Sequence, residues 1–163
     1  HRLVRNFSPP HKTDASLNYS IAISPDQKWV ATTFGLYAVE HGQLVVDFLP
    51  LRGDQMPEIR GAAFSLDSHW LVCVATDGRI YRWEVGSWKF HEIKRQGNIT
   101  AVTFAPDNQR LVTGENSGVI RLWQVEPLQE LAVIGQHAAN VESLSFSPDG
   151  RLLASASADE TVK

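Results

Sequence analysis

Four tight turns recur along this chain at nearly constant spacing: Ser24-Pro25-Asp26, Ser65-Leu66-Asp67, Ala105-Pro106-Asp107 and Ser147-Pro148-Asp149. Their aspartates are 67 − 26 = 41, 107 − 67 = 40 and 149 − 107 = 42 residues apart. The apolar residue before each turn, Ile23, Phe64, Phe104 or Phe146, keeps the same pitch. A repeat of this length restricts the fold severely, because each unit is one supersecondary element that buries its faces only against its neighbours. The last copy, Asn140 to Lys163, is the most regular. Val141, Leu144 and Phe146 lead into a turn where Pro148 presets φ and Gly150 closes the bend. A second strand at Leu152 to Ala156, a turn at Ala158-Asp159-Glu160 and the start of a third strand at Thr161-Val162 follow. Short apolar runs between polar turns specify a meander of antiparallel strands.

The earlier copies divide the chain at approximately 1–40, 41–84, 85–125 and 126–163. In the first, Leu3 to Phe7 reads as a strand, Ser8-Pro9-Pro10 as a loop, and Tyr19 to Ile23, Trp29 to Thr33 and Leu36 to Val39 as further strands. This copy is short. Val39 to Trp83 is 83 − 39 = 44 residues against a pitch of 41, a loss of three at a turn that has no aspartate. Leu44 to Phe48, Ala62 to Phe64, Trp70 to Ala75, Arg79 to Trp83 and Lys89 to Ile93 continue the series. Then come Thr100 to Phe104, Arg110 to Gly114, Val119 to Trp123 and Leu131 to Ile134. The longest irregular link is Pro50 to Arg60, PLRGDQMPEIR. Trp83 and Trp123 each close a third strand 40 residues apart, so the next falls due at 165, two beyond Lys163.

Units of about 40 residues, with a tryptophan ending the third strand and an aspartate in the turn before it, resemble the WD-repeat propeller family. Gln136-His137 stands where that family has Gly-His. The resemblance implies an all-β chain, an arc of about four four-stranded antiparallel blades, the first degenerate and the last incomplete. Val39 would then stand at the first blade's tryptophan position. In the family a histidine before the inner strand bonds the turn aspartate, and a second-strand Ser or Thr and the tryptophan extend the network. Carried over, this implies His137, Ser155 and Asp159 in the last copy, and Asp77 and Trp83 in the second with Cys73 at the Ser/Thr place. In the third it implies Thr113 and Trp123 with Ser117 at the aspartate place. Arg95 and Gln55 occupy the two other histidine positions. The implied role is a tie between strands and turn, with both tryptophans as inter-blade core.

Composition narrows the partners. Net charge is −3 with Lys and Arg dispersed, so no basic stripe supplies phosphate attraction, and nucleic acid is not expected. No apolar run approaches the roughly 18 residues of a membrane span, so no membrane partner is expected either. Cys73 lies in the apolar run Leu71-Val72-Cys73-Val74 and reads as inert core. A lone cysteine suits a reducing, cytoplasmic setting. The sequons at Asn6, Asn18 and Asn98 read as chance matches. His1, His11, His41, His69 and His91 have no metal-ligand spacing, and no phosphate loop, nucleophile elbow or carboxylate pair appears. No enzyme activity, cofactor or metal is expected. A chain that opens on His1 and stops inside a strand reads as part of a longer polypeptide. Expressed alone it is expected to self-associate through uncovered blade faces and sheet edges.

The resemblance implies a protein-protein interaction scaffold presenting loops on the propeller's top face. Bacterial members often carry such propellers at the C-terminal end of signalling proteins, so a sensor part of a larger protein is one expectation. The alternative is a small-ligand-binding or enzymatic propeller with a central-channel site. Six residues before the inner-strand markers stand Leu17, Glu58, Asn98 and Asn140, a mixed set with one charge that favours the scaffold. Candidate partner-binding residues are Arg52, Met56 and Arg60 in the long link, and Arg95, Asn98 and Asn140 on the same face. Two readings of the link stay open: an interface loop with an apolar anchor and polar rim, or a slack loop whose Leu51 and Met56 fold back over the blade edge.

Overall fold

The aspartate turns are locked by their own side chains. In the first, Ser24 Oγ donates to Asp26 Oδ1 at 2.6 Å and accepts the Trp29 N–H at 2.9 Å. Ser65 with Asp67 and Ser147 with Asp149 repeat the pair at 2.5 and 2.6 Å. Ala105 has no hydroxyl, and Asp107 there accepts the Arg110 N–H, whose counterparts in the other turns go to the serine. Such local bonds offer the backbone a turn in place of a continuing ladder.

The computed structural model describes residues 20–48 and 58–163. Within them the chain is all β. Blade one is β1 Ile21–Ile23, β2 Trp29–Thr32, β3 Gly35–Ala38 and β4 Leu44–Asp47. Blade two is β5 Ile59–Phe64, β6 Trp70–Ala75, β7 Arg79–Glu84 and β8 Phe90–Lys94. Blade three is β9 Ile99–Phe104, β10 Arg110–Glu115, β11 Val119–Gln124 and β12 Gln129–Gln136, and blade four has β13 Val141–Phe146 and β14 Leu153–Ser157. Each sheet is an antiparallel meander in chain order, and the last gains only an isolated bridge from Ala156 to Val162. The inner strands β1, β5, β9 and β13 pack successively beside one another, giving an arc of propeller blades.

Two expectations change. Val39 donates its N–H to Lys28 O, just as Val85 and Val125 donate to His69 O and Gln109 O, so these three valines are equivalent. The tryptophan position two residues earlier is therefore Tyr37, 2% exposed and paired with Val30 as Trp83 pairs with Leu71. From Trp29 to Tyr37 is 8 residues and from Trp70 to Trp83 is 13, so this hairpin has lost five residues, not three. The long link is also shorter than expected, because Arg60 lies in β5 and pairs with Glu58 at 3.1 Å. The expectations for Leu3 to Phe7, Ser8-Pro9-Pro10 and Leu17, and for Leu51, Arg52, Gln55 and Met56, lie outside the described residues.

One core cluster fills each blade junction. β6 is buried on both faces, which its unbroken apolar run requires: Leu71, Cys73 and Ala75 join Leu36, Phe48, Tyr81 and Trp83 toward blade one. Val72 and Val74 join Leu111 and Trp123 toward blade three. Ala101, Val112, Ile120, Val141 and Leu144 fill the third junction. At the two ends of the arc, Ile21, Ile23, Leu152 and Val162 are exposed.

The turns also latch blade to blade. Ser68 Oγ accepts the Asp26 N–H at 3.0 Å, and Asn108 Oδ1 accepts the Leu66 and Asp67 N–H groups at 2.6 and 3.3 Å. Ser68 and Asn108 sit at φ 61° and 60°, and the equivalent residue in blade four is Gly150 at φ 69°, which has no side chain to offer Asp107. A Cβ at Gly150 meets only Pro106 at 3.5 Å, ordinary contact. Asparagine tolerates this conformation, so Gly150→Asn is expected to raise unfolding free energy by about 0.5–1.5 kcal/mol, one net hydrogen bond. Gly150→Ala is the control in denaturant unfolding, and equal stability of the two variants would exclude a latch.

Candidate functional site

At the opposite end of the sheets from the aspartate turns, the links from one blade to the next meet the hairpin turns that precede each third strand. His137 N donates to Gly118 O at 2.9 Å and Arg95 N to Gly78 O at 3.1 Å. This seats position 137, and its equivalent 95, beside the following turn. In blade four His137 Nδ1 lies 3.0 Å from Asp159 Oδ2 and 3.1 Å from Thr161 Oγ1, and Nε2 lies 2.8 Å from Ser155 Oγ. With the proton on Nδ1 toward the carboxylate, the Ser155 hydroxyl donates to Nε2. Asp159 also accepts the Ala138 N–H at 2.9 Å and the Thr161 hydroxyl at 2.6 Å. His137 and Ser155 are buried, 2% and 4% exposed, so no acyl group reaches Ser155 Oγ in this arrangement. The bonds tie the blade link, β14 and the turn together.

The Thr161 hydroxyl, then the Ala138 N–H and His137, hold the Asp159 carboxyl well below the ordinary carboxylate range. A depressed folded-state pKa gives stability that is present above the unfolded value, about 4, and is lost as pH falls below it. The melting-temperature gap between the protein and its Asp159→Asn variant is therefore expected to stay level from pH 6 to about pH 5 and to narrow from there to pH 3. A gap independent of pH would show that the carboxylate charge contributes nothing.

Blade three builds the same place differently. Trp123 Nε1 donates to Thr113 Oγ1 at 2.8 Å. Arg95, at the histidine position, lies 3.6 Å from Glu115 and 3.2 Å from Glu130. Arg121 closes the square at 2.6 Å from Glu115 and 2.8 Å from Glu130. Glu115, 5% exposed, also accepts the Ser117 hydroxyl at 2.9 Å. Sequence reasoning missed Glu115, Arg121 and Glu130, because Asp107, Arg110 and Glu126 are interspersed among them and no spacing links them to Arg95. In blade two, Asp77 pairs with Arg79 at 3.2 Å and Lys94 at 3.8 Å. Trp83 stacks on Phe48 with centroids 5.1 Å apart. Cys73, opposite Tyr81 in the ladder, is fully buried, and burial pushes its thiol pKa up.

Asn98 and Asn140 occupy equivalent places before β9 and β13. Their backbone carbonyls accept the Asn116 and Ala158 N–H groups at 2.9 Å, and Asn140 Nδ2 donates to Glu142 at 3.1 Å. Both Oδ1 atoms are buried without a donor. Among the described residues no group of three or more His, Cys, Asp or Glu side chains is placed to hold a metal ion, and no helix is long and apolar enough to cross a membrane.

Residues 49–84, 85–124 and 128–163 each match the family model described as WD domain, G-beta repeat. Meiotic recombination protein rec14 of Schizosaccharomyces pombe is 28% identical over 161 residues, covering 96% of this chain and 52% of that protein. Periodic tryptophan protein 2 of Arabidopsis thaliana is 29% identical over 138 residues, 80% of this chain and 14% of that protein. WD repeat-containing protein SL1-17 of Schistosoma mansoni is 34% identical over 103 residues, 62% of this chain and 34% of that protein. The chain thus spans about half the length of the first and less of the others. With three matched repeats laid out as successive antiparallel blades, each tied at its top by the bonds above, the chain belongs to the WD-repeat family, whose repeats serve as scaffolds for protein interaction.

Proposed function

We propose that this chain docks a protein partner on the end of the blades that carries Arg95, Asn98 and Asn140, with Arg52 and Met56, outside the described residues, as candidate contacts for the same partner. The observation that supports this reading is the pair of amide oxygens at equivalent positions in successive blades, each buried without a donor. An acceptor left unsatisfied costs about 1–3 kcal/mol. Asparagine χ2 is soft, so a small rotation offers both oxygens to a partner's N–H groups. A role as the sensor part of a larger signalling protein belongs to the same reading.

The test is quantitative capture of partners by the complete protein, comparing Asn98→Ala with Asn140→Ala against Arg151→Ala, an exposed position at the opposite end. Partner recovery is expected to fall about tenfold in the first two, the effect of removing one good hydrogen bond to the partner, with unchanged melting. Alanine at both Arg52 and Met56 is expected to weaken binding by at least about 1 kcal/mol. Equal recovery from all these variants would move the interface elsewhere.

A further inference from the structure

Two cavities of about 250 and 390 Å³ lie side by side at the other end of blades two and three, and Trp70 and Glu126 line both. Beside the smaller one Arg82 of β7 is 3% exposed, its guanidinium carbon 4.3 Å from the Trp70 ring centroid. Among the described residues its bonds run through Nη1, to the Val125 carbonyl and to Glu126, while Nε is buried without an acceptor. The cation is therefore answered on one side only. Glu126 has a side chain 60% exposed. It is already largely hydrated, so its carboxylate can leave the pair for water more readily than the buried cation can.

The charge balance differs along the groove: both cations, Arg82 and Lys89, line the smaller cavity, and none lines the larger one. The smaller cavity adds Lys89 and His91 to Arg82; its second carboxylate, Glu84, accepts the Ser87 hydroxyl at 2.8 Å. The larger cavity is lined by Asp67, Asp107 and the amides of Asn108, Gln109 and Gln124, with Asp107 answered by Arg110 at 2.6 Å. A volume of about 250 Å³ falls below the roughly 300–1,000 Å³ of pockets that enclose a whole ligand. It suits one side chain, and the neighbouring cavity with its amides suits the extended chain that carries it.

We propose that this groove is a second binding site, for an extended peptide segment bearing an acidic side chain and, further along, a basic one. The peptide carboxylate takes the place of Glu126 on Arg82 Nη1 in a charge-assisted hydrogen bond. Lys89 and His91 hold the same end, and Asp67 receives the basic residue. Glu126 is the internal occupant of the site, so removing its charge strengthens binding where an ordinary contact residue would weaken it.

The test is a display selection of random peptides on the complete protein, followed by anisotropy measurements on the selected peptides. Selected sequences are expected to be enriched in an Asp or Glu with a Lys or Arg on one side of it. Glu126→Gln should tighten their binding about tenfold and Lys89→Ala with His91→Ala weaken it about tenfold, each the size of one charge-assisted hydrogen bond. Both latter positions are exposed, so folding is not at stake there. Selection without an acidic residue, or affinity unmoved by Glu126→Gln, overturns the proposal. Asn98→Ala and Asn140→Ala should leave this binding unchanged, so failure here and failure of the top-face reading are read separately.

Discussion

Trp123→Ala is expected to lower the unfolding free energy of the complete protein by about 3–5 kcal/mol. The indole is 1% exposed and fills the junction of blades two and three with Val72, Val74, Leu111 and Val125. Alanine leaves a gap that two facing sheets, each held by its own ladder, cannot close. It also strips the donor from Thr113, which is fully buried. Trp123→Phe separates the two effects: most apolar area remains, and the orphaned hydroxyl is expected to cost about 1–3 kcal/mol. Trp83 is the internal comparison, packed against Phe48 and Tyr81 with Cys73 at the Thr113 place. Trp83→Phe should therefore be milder than Trp123→Phe. Guanidinium unfolding with an unchanged m-value provides the measurement. A loss below about 1 kcal/mol for Trp123→Ala would mean that the blades slide together over the gap.

The architecture was legible because the aspartate turns make their bonds within five residues of themselves, so the pitch of the turns is the pitch of the blades. Distance along the chain misled at blade one. Tyr37 holds the aromatic position, but five residues are missing from the hairpin between it and Trp29, and only the strand register reveals the equivalence. Arg60 reads as the end of the link, yet it and Gly61 belong to the strand, where a Cβ on Gly61 would press on Val74 and Val102 at 3.0 and 3.1 Å. Small residues on an inner strand answer to the neighbouring blade rather than to strand propensity. In blade four the motif residues His137, Ser155 and Asp159 meet at bonding distance. In blade three the motif was half absent, and its substitute draws Arg95, Glu115, Arg121 and Glu130 from three strands and a link. Four charges so far apart in sequence have no spacing to read. Arg82 escaped for a similar reason, since its partners Trp70 and Glu126 belong to a turn end and to the next blade.

Gly118→Ala should be as damaging as a core truncation although it adds a single methyl group. Gly118 occupies φ +85° in the turn between β10 and β11, a conformation that costs other residues about 1–3 kcal/mol. Its carbonyl also receives the His137 N–H, which brings the blade link directly over it. A Cβ at this position would fall on the His137 carbonyl oxygen and lie 2.8 Å from the carbonyl carbon and 3.0 Å from Ala139 O. These are backbone atoms and cannot turn aside as a side-chain tip can. Relief requires the link to lift, which breaks the His137 to Gly118 bond and draws His137 away from Asp159 and Ser155. Overpacking of this kind adds about 1–3 kcal/mol to the conformational cost. Gly86 supplies the control, because its φ is +97° and a Cβ there meets nothing within 4 Å. Gly86→Ala therefore carries the conformational cost alone. The difference between the two variants in denaturant unfolding measures how firmly blade four is clamped to blade three. Equal losses would show that the link yields freely, and that the His137 cluster forms independently of the turn beneath it.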